Sequence, residues 1–322
     1  MLSIGITVCD ADYKNLDLLL NQIKERVKVP YEIIIIDNRE KYKNEVTEWK
    51  PSFSFGYNAF QFSARAKIID LSKGEYIWFI DGDDEIGIID NSDYQEDIAV
   101  FSYNSYPVGD VHITKHPAEI FSYESSCIIK PVLWNKFIKR SLFSEDFINK
   151  YRNLKIVTNE DTIWCYEALR HAKSLKIVDK VIYFHKKGLS NKETDVTYKN
   201  LECLVTGFAE MRKVLKELLD ERFFKNCIES TYSHMMSFIP RTKDINKAAK
   251  LLSELIPKEN FQKALFESVY YNCKTQEQFK KVINAVSNIY GKDFCFPKAT
   301  EKVTFPDGHT EDYAFTQIIE FK

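Results

Sequence analysis

The apolar run Tyr76-Ile77-Trp78-Phe79-Ile80 passes straight into Asp81-Gly82-Asp83-Asp84 and then into Glu85-Ile86-Gly87. A run of this kind, rich in β-branched and aromatic residues, reads as a strand covered on both faces. Burying it obliges the fold to set three carboxylates at one end of an internal strand. Two carboxylates one residue apart can share a divalent cation, whose oxygen-seeking coordination sphere then takes phosphate oxygens as further ligands. The turn therefore points to a metal-bound phosphate ester, although the bare D-x-D-D pattern also describes ordinary solvated acidic turns.

The surrounding sequence supplies a sheet for this strand. Ser3 to Val8 is a short apolar run, and Asp12 followed by Leu16, Leu19, Leu20 and Ile23 predicts a capped amphipathic helix. After Pro30, Tyr31-Glu32-Ile33-Ile34-Ile35-Ile36 predicts a second buried strand ending in Asp37-Asn38. Strand, helix, strand is a βαβ unit. Gln61 to Ser72 has helical spacing, with Gly74 where a C-terminal cap would sit. This alternation predicts an α/β fold, a mostly parallel sheet flanked by helices, with ligand groups at the carboxyl ends of strands. Asp37 and Asp81 both lie at such ends.

Ile98 to Tyr103 reads as a further strand, and Pro107 to Pro131 shows no clear periodicity. Asn159 is placed to cap a helix carrying Ile163, Trp164, Tyr166, Ala168 and Leu169, with Glu160 and Asp161 in its first turn at the positive end of the dipole. Leu175 to Phe184 returns as a strand. From about Lys199 the pattern becomes helical, over Leu201 to Phe224, Cys227 to Phe238, Ile245 to Leu255, Phe261 to Tyr271 and Gln276 to Tyr290. The tail from Lys302 to Thr310 has Asp307-Gly308 at the turn of a hairpin. These patterns predict a first domain over 1–198, a helical region over 199–298 and a hairpin-like tail over 299–322.

Composition narrows the classes. The chain has 322 residues, 44% of them apolar, enough for a sizeable core. A formal charge of −2 argues against a nucleic-acid backbone as main partner. The start lacks the charged and apolar regions of a secretory signal, and no run reaches the roughly 20 apolar residues of a membrane span, so a cytoplasmic location is expected. Seven scattered cysteines without C-x-x-C pairs suggest neither a zinc site nor a disulfide framework.

Four stretches, in order, resemble the family 2 inverting glycosyltransferases with the GT-A fold, of the bacterial surface-glycan type. They are the opening βαβ ending in Asp37-Asn38; Ser63-Ala64-Arg65-Ala66 continuing through Lys73-Gly74-Glu75 to Asp84; Leu133-Trp134-Asn135-Lys136-Phe137-Ile138-Lys139-Arg140; and Asn159-Glu160-Asp161 followed by Ile182-Tyr183-Phe184-His185-Lys186 and Ser190. The resemblance implies a nucleoside-diphosphate sugar as donor, a UDP-sugar foremost, with Mn²⁺ or Mg²⁺. It implies Asp83 as metal ligand, Asp81 near metal and ribose, Asp84 in support, and His185 as a further candidate ligand. It implies Asp161 as general base with Glu160 beside it, Thr7, Asp37 and Asn38 at the nucleobase, Arg65 toward the diphosphate, and Trp134, Asn135 and Glu160 on the acceptor side. The acceptor would be a glycan or lipid-linked sugar. Ala66 stands where relatives have asparagine, Asn38-Arg39-Glu40 replaces Asp-Gly-Ser, and Lys186 replaces arginine.

Each residue also has a plainer reading. Asp161 can be a dipole partner, His185 a strand-end packing residue, Trp134 a core aromatic, and Arg65 a solvent-facing helix residue. The alternatives for the whole chain are a nucleotidyltransferase or a non-catalytic sugar-nucleotide-binding subunit. From Arg241 to Thr300 eleven Lys/Arg stand against six Asp/Glu, a local excess of +5. Lysines such as Lys247, Lys250, Lys280 and Lys281 either form a solvated face or meet an anionic membrane.

Overall fold

A computed structural model describes residues 1–8, 13–38, 52–54, 61–90, 94–107, 114–116, 120–123, 126–129, 131–154, 156, 160–187, 198–219, 221, 224, 232, 235–236, 238–242, 244–258, 260–261, 276–291, 300–304 and 310–314. The expected caps Asp12 and Asn159, the Arg39-Glu40 pair, Ser190, the Asp307-Gly308 turn, most of the helix from Cys227 and all but the first residue of that from Phe261 lie outside the described residues. The chain divides into two compact units, residues 1–194 with 206–219, and residues 195–205 with 220–322.

In the first unit the order is β1 (Leu2–Val8), α1 (Tyr13–Arg26), β2 (Tyr31–Asp37), β3 (Phe53–Ser54), α2 (Gln61–Leu71), β4 (Tyr76–Asp81), β5 (Glu85–Ile86), β6 (Ile98–Pro107), β7 (Thr114–His116), β8 (Ile120–Tyr123), β9 (Ser126–Ile129), β10 (Lys136–Lys139), α3 (Glu145–Tyr151), α4 (Glu160–His171) and β11 (Leu175–Lys187). Among the described residues nine strands form one sheet, ordered β3-β2-β1-β4-β10-β6-β11-β5, with β7 paired to β6. The βαβ expectation is met in detail: β2 and β4 flank β1 in parallel, with Thr7 opposite both Ile36 and Asp81. The long ladders are parallel, including β6 with β11. The antiparallel pairings are short, and β10, like β5 and β7 to β9, is among the strands the periodicity did not suggest. It slots between β4 and β6, Ile138 facing Ile77 on one side and Ile98 on the other.

Alternation along β1 assigns the two faces of the sheet. Leu2, Ile4 and Ile6 share a cluster with Leu16, Leu19 and Ile23 of α1, and with Trp78 and Phe137. Gly5 faces the other way, toward α2. A Cβ there would meet Ile68 Cγ2 at 2.3 Å, so glycine is what lets α2 lie this close to the sheet. On that face Phe62 of α2 stacks on Trp164 of α4 at 4.5 Å, and Phe143, Phe147 and Phe79 complete an aromatic layer.

Two expectations change in kind. Gly74 is not a left-handed cap, because among the described residues Gly291 is the glycine with positive φ. A Cβ at Gly74 would instead meet Ser3 Oγ at 2.6 Å and the Met1 carbonyl at 2.8 Å, while its amide donates to Ser3 Oγ. The last strand does not stop at Phe184. It runs to Lys187 through register irregularities between Val178 and Tyr183, and so carries His185 and Lys186 within the ladder.

In the second unit α5 (Tyr198–Leu218) contributes its first residues, followed by α6 (Phe238–Arg241), α7 (Ile245–Leu255) and α8 (Gln276–Tyr290), the last three packed on one another. Asp244 caps α7, accepting from the Lys247 amide. β12 (Thr300–Thr304) pairs antiparallel with β13 (Thr310–Ala314). No helix among the described residues is long and apolar enough to cross a membrane.

Candidate active site

Three parallel strands end side by side, and their last residues build one rim. The Gly82 amide donates to the Thr7 carbonyl at 3.2 Å and the Asn38 amide to the Val8 carbonyl at 2.9 Å. Thr7, Asp37, Asn38 and Asp81 therefore line the carboxyl edge of β1, β2 and β4. Asn38 Oδ1 is buried and, among the described residues, meets no hydrogen-bond partner.

The acidic turn folds inward rather than into solvent. Its closing bond runs from the Asp84 amide to the Asp81 carbonyl at 3.2 Å. Asp83 is 7% exposed and Asp84 2%, while the Asp81 side chain keeps 29% of its surface. Asp84 is held from β11, accepting from the Tyr183 hydroxyl at 2.6 Å and from the Lys186 amide at 2.7 Å. Burial, with Asp83 and Asp81 adding repulsion, pushes the Asp84 carboxyl well above its usual range against these two hydrogen bonds. Glu85 sits in a bracing network. Burial pushes it up, but hydrogen bonds from Lys186, Gln22 and Tyr106 prevail and hold it below the usual glutamate value.

Arg65 is the hub. The solvent-facing reading fails for it: the residue is 2% exposed, because α2 is covered by the sheet on one side and faces α4 on another. Its guanidinium meets Asp81 Oδ1 at 3.5 Å and pairs directly with Glu160 and Asp161. Gln61, one turn earlier on α2, donates to Asp81 Oδ1 at 3.2 Å. The other Asp161 oxygen accepts from the Leu133 amide at 3.2 Å. One guanidinium thus ties the end of β4 to the start of α4, and one cation against three carboxylates leaves the cluster negative before Asp83 and Asp84 are counted.

Trp134 is 7% exposed and belongs to the core cluster. Its ring lies parallel to Tyr183 at 4.7 Å and to His185 at 5.3 Å. Asn135 is buried with its side chain turned to the protein, Nδ2 donating to the Phe101 carbonyl at 3.0 Å and Oδ1 accepting from Lys136 Nζ at 2.7 Å. The structure thus gathers Asp81, Arg65, Glu160 and Asp161 into one contact set, with Asp83 and Asp84 in the adjoining turn, and seats Trp134 and His185 against each other.

The donor set fits a hard divalent cation. Among the described residues no group of three or more His, Cys, Asp or Glu side chains forms a ready-made cage. Carboxylate oxygens are the donor type such a cation takes, and the burial and neighbouring acids that push the Asp84 carboxyl up are what a positive charge there would relieve.

Sequence reasoning missed Tyr183, Gln61, the Leu133 amide and the Lys186 amide. Tyr183 lies two residues before His185 on a strand, so side-chain alternation puts both on one face; that spacing was the available signal. Backbone amides leave none.

The architecture is that of the GT-A-type α/β folds, a sheet with helices on both faces. Among solved structures it matches S. aureus TarS 1-349 in complex with UDP-GlcNAc, with a TM-score of 0.60 and 14% identity over 97% of this chain and 99% of that one. TarS 1-349 without that ligand gives 0.54 and 15% over the same shares. A longer TarS chain gives 0.54 and 16% over 90% of this chain and 54% of that one, so the present chain spans about half its length. At these identities the likeness is one of fold. No protein-family model matches the chain, and no curated protein matches it.

Proposed function

We propose that the protein is a metal-dependent inverting glycosyltransferase that moves a sugar, a hexose or its derivative, from a UDP-sugar to an acceptor hydroxyl, as a family 2 enzyme does. The observation that carries the proposal is the Arg65 cluster, which joins the acidic turn after β4 to a carboxylate pair at the start of α4. The TarS structure of the same fold holds UDP-GlcNAc, which supports a uridine donor.

In this reading Thr7, Asp37 and Asn38 receive the nucleoside, and the buried Asn38 oxygen, unpartnered among the described residues, accepts from the base. Asp83 and Asp81 would hold Mn²⁺ or Mg²⁺, with His185 as a further candidate. When bound, the cation neutralises the diphosphate as it leaves. Asp161 is the base, oriented by the Leu133 amide and by Arg65. The acceptor oxygen forms its bond to the anomeric carbon from the side opposite the diphosphate, its proton passes to Asp161, and the sugar–phosphate bond breaks with its electron pair leaving on UDP. A single displacement inverts the anomeric centre. Glu160 shares Arg65 with Asp161 and so keeps that guanidinium in place. Trp134 and Asn135 shape the acceptor side from within, by packing and by holding backbone.

The acceptor class that fits is a glycan or lipid-linked sugar of a surface polysaccharide, met in the cytoplasm or at the inner face of the membrane. The basic excess over 241–300 supports contact with anionic lipid through the helical region.

A panel of UDP-, GDP-, CDP- and dTDP-sugars with Mn²⁺ tests the reading. UDP release dependent on acceptor and metal is expected, with the product anomer inverted by NMR. A chain that neither binds nor consumes any sugar nucleotide refutes it.

A further inference from the structure

The Tyr183 hydroxyl reaches the edge of β4 at a point where, among the described residues, no strand pairs with that edge. The neighbour β10 pairs with β4 at Tyr76 and Ile77, and among the described residues no strand pairs with the edge of β4 beyond Ile77 on that side. The Gly82 amide turns to β1, and by alternation the Asp81 amide turns the other way. There it donates to the Tyr183 hydroxyl at 3.2 Å, and the same hydroxyl donates to Asp84 Oδ2 at 2.6 Å. A fully buried side chain thus replaces a strand and bridges the first and last acids of the turn. Three residues along, the Lys186 amide donates to the other Asp84 oxygen at 2.7 Å.

The ring of the same residue does a second job. It lies parallel to Trp134 at 4.7 Å with 15° between planes. Trp134 follows Leu133, whose amide holds Asp161. One residue therefore touches both halves of the site, through its hydroxyl to the turn and through its ring to the segment that orients the base.

We infer that Tyr183 is a positioning residue of the donor site, a latch that holds the acidic turn in its ligand-receiving shape while its ring seats Trp134. The inference rests on the glycosyltransferase reading, since it assumes that the turn receives the diphosphate. Tyr183→Phe separates the two jobs, keeping the ring and removing the hydroxyl. Asp81 N–H and Asp84 Oδ2 lose their shared partner, and the turn must re-form its geometry each time nucleotide binds.

The expected result is a rise of about tenfold in the Kd for UDP with Mn²⁺ by calorimetry, the size of a lost hydrogen bond to a charged group. The donor KM rises in parallel, and kcat at saturating donor stays within about threefold because the Trp134 and Asp161 contacts remain. A lowered melting temperature with unchanged UDP affinity makes the residue merely structural and overturns the inference. A fall in kcat at unchanged KM also overturns it. If unmodified protein binds no UDP, the glycosyltransferase reading fails and takes the inference with it; binding that Tyr183→Phe leaves intact refutes the inference alone. Should the variant not fold, amide hydrogen exchange on the unmodified chain decides. A latched turn protects the Asp81 amide before nucleotide is added, and free exchange there refutes the latch.

Discussion

Replacing Arg65 by methionine removes the guanidinium shared by Asp81, Glu160 and Asp161 while keeping a side chain of similar length. Removing one partner of a buried ion pair costs about 3–5 kcal/mol, because the remaining charge stays out of water. The Asp81 and Asp161 side chains are 29% and 15% exposed and regain some hydration, whereas Glu160 at 6% does not. The lower end, about 3 kcal/mol, is therefore the appropriate figure. For a unit of about 200 residues each kcal/mol moves the melting temperature by about 2–4 °C, so Arg65→Met should melt about 6–12 °C lower at neutral pH. Scanning calorimetry at neutral pH measures it. A drop below about 2 °C would refute the view that Arg65 compensates buried charge.

Three other substitutions probe the site separately. Asp83→Ala should abolish Mn²⁺-dependent UDP binding while leaving the melting temperature close to that of the unmodified chain; calorimetry showing unchanged affinity removes Asp83 from the site. Asp161→Asn keeps shape but cannot take the acceptor proton, so transfer should fall by roughly 10²-fold or more at unchanged donor affinity, and normal turnover would overturn its assignment. Asp84 is held above the unfolded carboxyl value, so its protonated form stabilises the fold and that stability is lost as pH rises through the folded value. Without metal or nucleotide, Asp84→Asn should therefore melt higher than the unmodified chain at neutral pH, with the gap closing toward about pH 4; a lower melting temperature at neutral pH would contradict it.

What could be read from the sequence was what depends on runs and periods. The continuous apolar, β-branched-rich stretches at Ser3–Val8, Tyr31–Ile36 and Tyr76–Ile80 read as buried strands, and the acids that follow Ile36 and Ile80 then land at one edge. Arg65 was illegible because charge on a helix ordinarily signals solvent. Its neighbours held the clue: Phe62, Ala64, Ala66, Ile68 and Ile69 surround the helix with buried positions and leave little exposed face. The strand Lys136–Lys139 is short and framed by lysines, so neither length nor alternation marks it. Lys136 is nonetheless fully buried, its ammonium satisfied by the Val132 carbonyl and Asn135. Asn135, placed on the acceptor side by resemblance, spends its amide on the Phe101 carbonyl, a bond between distant segments that no local pattern encodes.

The short strand β10 has an effect on how such a chain can change over generations. Since Lys136–Lys139 lies directly against β4, the separation between the acidic turn and the Trp134 segment is fixed by neighbouring ladders, at about 4.8 Å per strand step, and not by the chain that joins them. That chain leaves β6 at Pro107 and returns at Pro131, and between these points its described strands reach the main sheet only through β7. Insertions, deletions and substitutions can accumulate there without moving the carboxylates relative to each other.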